Sequence, residues 1–237
     1  MNHIHRFSTP EETANACGAT ILASLKEAIA LSGRASVAFS GGSTPRIMFE
    51  FMARQEFDWS NVHIFWVDER CVPPDHADSN YRMTQEALLN HIHPGGVHRI
   101  PGELPPKDAA NSYRQELTHF FEGSPKFNVV HLGMGADAHT ASLFPGLKEI
   151  EDRSGTVANV WVEKLGKDRI TLLPKSILDA ERIVVLAAGK DKAEPLQKVM
   201  TAEYHPLELP IQFVHRGTGT VEWYLDQAAA ASLPDSR

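Results

Sequence analysis

The sequence predicts an α/β fold: a mostly parallel sheet with helices on both faces. Three observations carry that expectation. Strand-like and helix-like segments alternate along the chain. Several strand-like segments are near-continuous apolar runs, as strands covered on both faces require. Four loops carrying Gly, Ser, Asp, Arg, His or Lys leave strand ends, at residues 40–45, 68–78, 133–145 and 189–192. In open α/β sheets, ligands sit outside the carboxyl ends of the strands.

The elements follow in order. "STPEETANACGATILASLKEAIALSG" reads as a first helix. Thr9 can cap it, Pro10 suits its first turn, and Glu12 completes a capping box. Ala14, Cys17, Ile21, Leu25, Ala28 and Ile29 fall on one face, and Gly33 ends it. Then come "ASVAFS" (strand), "GGSTP" (loop) and "RIMFEFMAR" (helix), with Pro45 suited to the first helical position. "NVHIFWV" is a strand, "DERCVPPDHAD" a long loop and "SNYRMTQEALLNHI" a helix. A short "VHRI" leads into the Pro-rich connector "PGELPPKD". "AANSYRQELTHFF" is a helix with Tyr113, Leu117 and Phe120 or Phe121 on its apolar side. "FNVVHLGM" and "GTVANVWVEK" are strands, and "DRITLLPKSILDA" holds a turn and a short helix. "RIVVLAAG" is a strand and "KDKAEPLQKVM" a helix. The tail, "PIQFVHR" and "TVEWYLDQAAAA", adds one or two strands and a terminal helical turn. The alternation continues on both sides of the connector, so residues 1–237 are expected to form a single domain.

Composition narrows the function. Hydrophobic residues make up 42% and charged residues 22%, an ordinary globular balance. The formal net charge of -7 disfavours a nucleic-acid binder, which needs a basic face to displace counterions. A few backbone N–H groups and one or two cations can still make a local anion site. The two cysteines, Cys17 and Cys71, form no CxxC pair and are expected to be reduced thiols in a cytoplasmic protein. "MNHIHRFSTP" has no apolar signal-peptide core, and no apolar run approaches the roughly 20 residues that span a bilayer, so no membrane partner is expected.

"FSGGSTPR" follows a strand and opens a helix. Gly41 and Gly42 let the backbone curl around an anion, Ser43 and Thr44 offer hydroxyls, and the helix N-terminus points free N–H groups outward. This fits a monophosphate. The loop is neither a Walker A loop nor GxGxxG, and it lacks the GxSxG nucleophile elbow. The plainer alternative is a capped strand-to-helix turn. "FWVDERCV" ends a strand in Asp68, Glu69 and Arg70, either a surface ion pair or an arginine facing an anion. "GADAHTAS" sets Asp137 and His139 among small residues that admit a close-lying substrate. It is either a polar turn or a His base oriented by a carboxylate, and no strong nucleophile stands beside it. Arg169 and Lys192, in "KDRITLLP" and "AAGKDKAEPL", are plausible phosphate clamps. His3/His5 and His91/His93 lack a third ligand of suitable spacing, so no metal is expected.

The motifs "SGGSTP", "WVDERCVPPDHADSNYRM", "LGMGADAHTASLFPG", "RITLLP" and "AAGKDKA", in this order, resemble the glucosamine-6-phosphate isomerase/6-phosphogluconolactonase family, on its lactonase side. The resemblance runs nearly the whole chain, down to "VEWYLDQAAA". It implies a Rossmann-like open sheet, similar to glucosamine-6-phosphate deaminases, ribose-5-phosphate isomerases and CoA-transferase-like folds. It implies that Gly41, Gly42, Ser43 and Thr44 hold a sugar phosphate and that Arg169 and Lys192 complete the clamp. His139 becomes the base that activates water, with Asp137 and Arg70 beside a lactone. The expected reaction is hydrolysis of 6-phospho-D-glucono-1,5-lactone in the pentose phosphate pathway, without cofactor, by a monomer or homodimer. One position departs: Ala138 stands where the family usually has Gly. A left-handed alanine costs about 1–2 kcal/mol, so position 138 is expected not to be left-handed. Two other readings remain. An aminosugar phosphate isomerase or deaminase would need a further carboxylate where this chain has "ASLFPG". A non-catalytic sugar-phosphate sensor would have no use for the Asp137–His139 pair.

Overall fold

The computed structural model describes residues 2–234. Its strands, in chain order, are β1 (Asn2–Phe7), β2 (Ala35–Phe39), β3 (Val62–Trp66), β4 (Asp68–Arg70), β5 (Gly96–His98), β6 (Val129–Gly133), β7 (Val157–Val162), β8 (Lys167–Leu172), β9 (Arg182–Ala187) and β10 (Thr220–Asp226). Its α-helices are α1 (Pro10–Ser32), α2 (Ser43–Ala53), α3 (Asn80–Ala87), α4 (Pro106–Phe121), α5 (Pro174–Leu178) and α6 (Ala193–Thr201). Seven strands form one parallel sheet in the order β1-β10-β9-β6-β2-β3-β5. Three more form an antiparallel sheet, β4-β8-β7.

The apolar runs explain the centre of the large sheet. Every residue of β2 is buried, and so are Val129–Leu132 of β6 and Ile183–Ala187 of β9. Strands buried on both faces need cover on both faces. From β2 the chain proceeds outward to β3 and β5, and from β6 outward to β9 and β10. The winding therefore reverses between the neighbours β2 and β6. A crevice opens above the carboxyl ends of strands at such a point.

The helix signals in α1 are realised almost as written. Thr9 Oγ1 accepts the Glu12 N–H at 3.1 Å, and Gly33 closes the helix at φ 78° with its N–H on the Ile29 carbonyl. The Glu12 carboxylate accepts the Ser8 N–H at 3.0 Å, one residue earlier than a capping box requires. Ile29 is only partly buried, and Leu22 completes the face in its place.

One strand was not singled out, and three readings need correction. "NHIHRF" is a strand: β1 alternates polar residues on the sheet edge and pairs with β10, so it lacks an apolar run. Asp68–Arg70 is a strand, β4, and not part of a loop. "KDRITL" is a strand, β8, and not a turn; it pairs with both β4 and β7. "PIQFVHR" is a 3₁₀ helix, Pro210–Arg216, whose buried Ile211, Phe213 and Val214 imitate a strand run. Its Gln212 side chain accepts the His205 N–H and donates to the Val199 and Glu203 carbonyls. Among the described residues, no helix is long and apolar enough to cross a membrane.

Candidate active site

A pocket of about 390 Å³ lies at the switch between β2 and β6. The loop after β2 contributes Ser40, Gly41 and Gly42. The loop after β6 contributes Gly133–Gly135, His139–Ser142 and Phe144. The small sheet and its hairpin turn add Asp68, Arg70, Lys164, Leu165 and Arg169, with Asn80 from α3 and Lys192 beyond β9. Gly41, Gly42, Arg70, His139, Arg169 and Lys192, picked out in the sequence, thus meet around one cavity. Ser43, Thr44 and Asp137 are not on its wall.

The glycine loop is shaped by what surrounds it. A Cβ on Gly41 would come within 1.8 Å of Asn80 Oδ1, and Gly42 sits at φ 131°, where L side chains are strained. Helix α2 starts directly after, at Ser43, so its unsatisfied N–H groups begin at the pocket edge. Pro45 occupies the third helical position instead of the first; this is equally tolerated, because a first-turn N–H has no intrahelical partner. Asn80 Oδ1 and Ser40 Oγ are buried polar atoms on this wall without a protein hydrogen bond.

The small sheet sorts its charges. The Glu69 side chain points to the start of α3 and accepts from Asn80 N–H and Tyr81 N–H at 2.8 Å, Arg70 N–H at 2.8 Å and the Ser79 hydroxyl at 3.0 Å. Burial raises its carboxyl pKa, and the four donors offset that only in part. Glu69 is therefore the anionic cap of α3. Asp68 accepts the Ser142 hydroxyl at 2.7 Å, and Asn80 Nδ2 donates to its side chain and carbonyl. Arg70 and Arg169 face each other across the β4–β8 pair. Among the described residues neither guanidinium has a carboxylate ion pair; Arg70 Nη1 donates to the Asp78 carbonyl, and both Nε atoms are buried without a partner. Burial, then repulsion from Arg70, holds Arg169 below the usual arginine range. Two adjacent guanidiniums with buried, unpaired Nε groups have the chemistry an anion requires.

In the His loop, His139 Nδ1–H donates to Asp137 Oδ1, which also accepts the His139 backbone N–H at 3.2 Å. Lys164 Nζ donates to Asp137 Oδ2. Burial works to raise the Asp137 carboxyl, but these bonds prevail and hold it well below the usual 3.8. The imidazole stacks on Phe144, with centroids 4.1 Å apart. A Cβ on Gly135 would lie 2.0 Å from His139 Nδ1, so the Asp–His contact requires glycine there. With Nδ1 engaged, Nε2 is the nitrogen free for chemistry in the pocket. By contrast, His131, on β6, is fully buried, and burial pushes it down to about 3, so it stays neutral.

Position 138 overturns the expectation. Ala138 is left-handed, at φ 61°, and Ala141 follows at φ 51°. The loop tolerates this because the Ala138 methyl is fully buried in the core. Its N–H donates to the Gly135 carbonyl and its own carbonyl accepts the Ile211 N–H, both at 3.0 Å. His139 keeps its bond to Asp137, so the strain does not displace it.

Asn80, Ser142, Phe144 and Lys164 were not singled out in the sequence. Only Lys164 had a readable signal: Gly166 follows it between two alternating runs, the mark of a hairpin turn. Among the described residues, no cluster of His, Cys, Asp or Glu is arranged to hold a metal ion.

The family model described as glucosamine-6-phosphate isomerases/6-phosphogluconolactonase matches residues 8–223. The 6-phosphogluconolactonase of Nostoc sp. is 39% identical over 222 residues, covering 90% of each chain. The solved structure of 6-phosphogluconolactonase from Trypanosoma brucei superposes with a TM-score of 0.89 at 27% identity, over 99% of both chains. A monomeric glucosamine-6-phosphate deaminase, 19% identical, superposes with a TM-score of 0.83 over 97% of this chain and 99% of that one, and so shares the fold.

Proposed function

The chain belongs to the glucosamine-6-phosphate isomerase/6-phosphogluconolactonase family, and we propose that it hydrolyses 6-phospho-D-glucono-1,5-lactone to 6-phosphogluconate, the lactone-opening step of the pentose phosphate pathway. It is a hydrolase acting on a lactone ester. The observation that carries the reading is His139: its Nδ1 is engaged by Asp137, and it lines the same cavity as Arg70, Arg169 and Lys192.

The substrate phosphate sits against Gly41, Gly42 and the first turn of α2, with Ser43 and Thr44 in that turn. Arg169 and Lys192 close on it. This binding, remote from the reacting carbon, orients the lactone. Asp137 holds the imidazole with Nε2 unprotonated toward the substrate. Nε2 takes a proton from water as the water oxygen attacks C1. The carbonyl oxygen becomes an oxyanion, which Arg70 stabilises. The C1–ring oxygen bond then breaks, and the imidazolium returns its proton to that oxygen.

An aminosugar phosphate deaminase fits less well. Among the described residues Asp68 is the one carboxylate on the cavity wall, and its oxygens are engaged by Ser142 and Asn80.

The test compares substrates. Acid release, corrected for spontaneous opening, is expected to be far faster with 6-phospho-D-glucono-1,5-lactone than with unphosphorylated glucono-1,5-lactone. Equal rates would remove the phosphate clamp from the account. Ammonia release from glucosamine 6-phosphate would replace the reaction itself.

A further inference from the structure

The reaction above gives Lys164, a cation on the cavity wall, no task. Lys164 lies in the turn Glu163–Leu165 between β7 and β8. It comes from a different sheet than the His loop, yet its ammonium bonds Asp137 Oδ2 while His139 holds Oδ1. The same ammonium stands 5.3 Å from the centre of the Phe144 ring, on which the His139 ring stacks. One carboxylate is thus shared between an ammonium and an imidazole, and one aromatic ring supports both. A free carboxylate beside an imidazole favours the imidazolium, which is useless as a base. A cation on that carboxylate opposes this.

We infer that Lys164 is a positioning residue for lactone opening: by occupying half of Asp137 it fixes the carboxylate that orients His139 and keeps the imidazole available as a base toward lower pH. This rests on the reading of His139 as the base. The other charges around the pair come from the small sheet (Asp68, Arg70, Arg169) and from Lys192, all on the cavity wall. The loop of residues 133–146 carries no charged side chain besides Asp137 and His139. Lys164 differs from every other cation of the pocket in bonding the base's own partner. Its side chain is 58% exposed, so water and salt screen it and the effect is modest.

The experiment is the pH profile of kcat/KM for the wild type, Lys164→Met, Lys164→Arg and His139→Asn, with spontaneous opening subtracted. Lys164→Met is expected to move the acid limb to higher pH by about half a unit, as loss of one screened neighbouring cation should. Lys164→Arg should bring the limb back, and added salt should shrink the gap. If Lys164→Met lowers activity with the limb unmoved, or moves the limb to lower pH, Lys164 does not act through the pair. If His139→Asn keeps wild-type turnover, the base reading fails and the role of Lys164 fails with it. An inactive His139→Asn beside an unmoved Lys164→Met limb overturns the role of Lys164 alone.

Discussion

The centre of the seven-stranded sheet and the three-stranded sheet beside it use side chains in opposite ways. Strands β2, β6 and β9 bury apolar residues on both faces, and His131 is the one titratable side chain buried among them. Strands β4 and β8 bring Asp68, Glu69, Arg70 and Arg169 together by cross-strand pairing. Within that small sheet a second division appears. Glu69 is fully used by four donors and serves the fold, whereas Arg70 and Arg169 oppose one another, have no carboxylate partner among the described residues, and face the cavity. Buried polar groups in a stable protein are satisfied from within. Groups left unsatisfied at a cavity wall mark where a ligand completes the bonding.

Short of removing His139, the largest effect falls on the arginines. Arg169→Met is expected to lower kcat/KM about 100-fold, the loss of a charge-assisted contact to substrate. Its Tm should not fall. A base held below its usual range in the folded state costs stability wherever it is charged, and Arg169 is such a base. A marked drop in Tm would place Arg169 with the structural charges.

Glu69→Gln should reverse the pattern. It leaves buried N–H donors of α3 short of an acceptor, a loss of about 1–3 kcal/mol in denaturant unfolding. Turnover per folded molecule should hold. Intact stability with lost turnover would move Glu69 into the pocket's chemistry.

His131 tests the large sheet through pH. Its folded value is about 3 against an ordinary 6.5. Between these, the unfolded chain binds a proton that the folded one refuses, so stability falls as pH drops from 6.5 toward 3. His63 and His215, also lowered by burial, act in the same direction. His131→Gln is expected to flatten the fall of Tm over this range. An unchanged slope would mean that His131 takes up its proton while folded.

Ala138→Gly gives the smallest change. Relief of a left-handed alanine, about 1–2 kcal/mol, is opposed by loss of a buried methyl, about 0.8 kcal/mol, and by glycine's greater unfolded entropy. Unfolding free energy should stay within about 1 kcal/mol of wild type. A larger gain would mean that the loop carries more strain than Ala138 alone.

The same contrast explains what the sequence made legible. Continuous apolar runs announce β2, β3, β6 and β9, because burial on both faces leaves a mark in composition. Strands β1, β4 and β8 carry no such mark, because their residues are chosen for edges, caps and charges. Of the site, Gly41, Gly42 and His139 stood out through local chemistry at strand ends, and Arg70, Arg169 and Lys192 through their place beside them. Asn80 and Ser142 did not, since both are placed by their bonds to Asp68 across a tertiary contact. Lys164 meets Asp137 only because a hairpin from the small sheet reaches over the His loop. Ala138 was misjudged because local backbone cost was weighed without the burial that offsets it.

The central claim, that His139 supplies the base for lactone opening, is tested most directly by His139→Asn, assayed for acid release from 6-phospho-D-glucono-1,5-lactone above the spontaneous rate. The account predicts a fall in kcat of about 10²–10⁴-fold, the usual contribution of a general base, with Tm close to wild type. Turnover within a few-fold of wild type would contradict it.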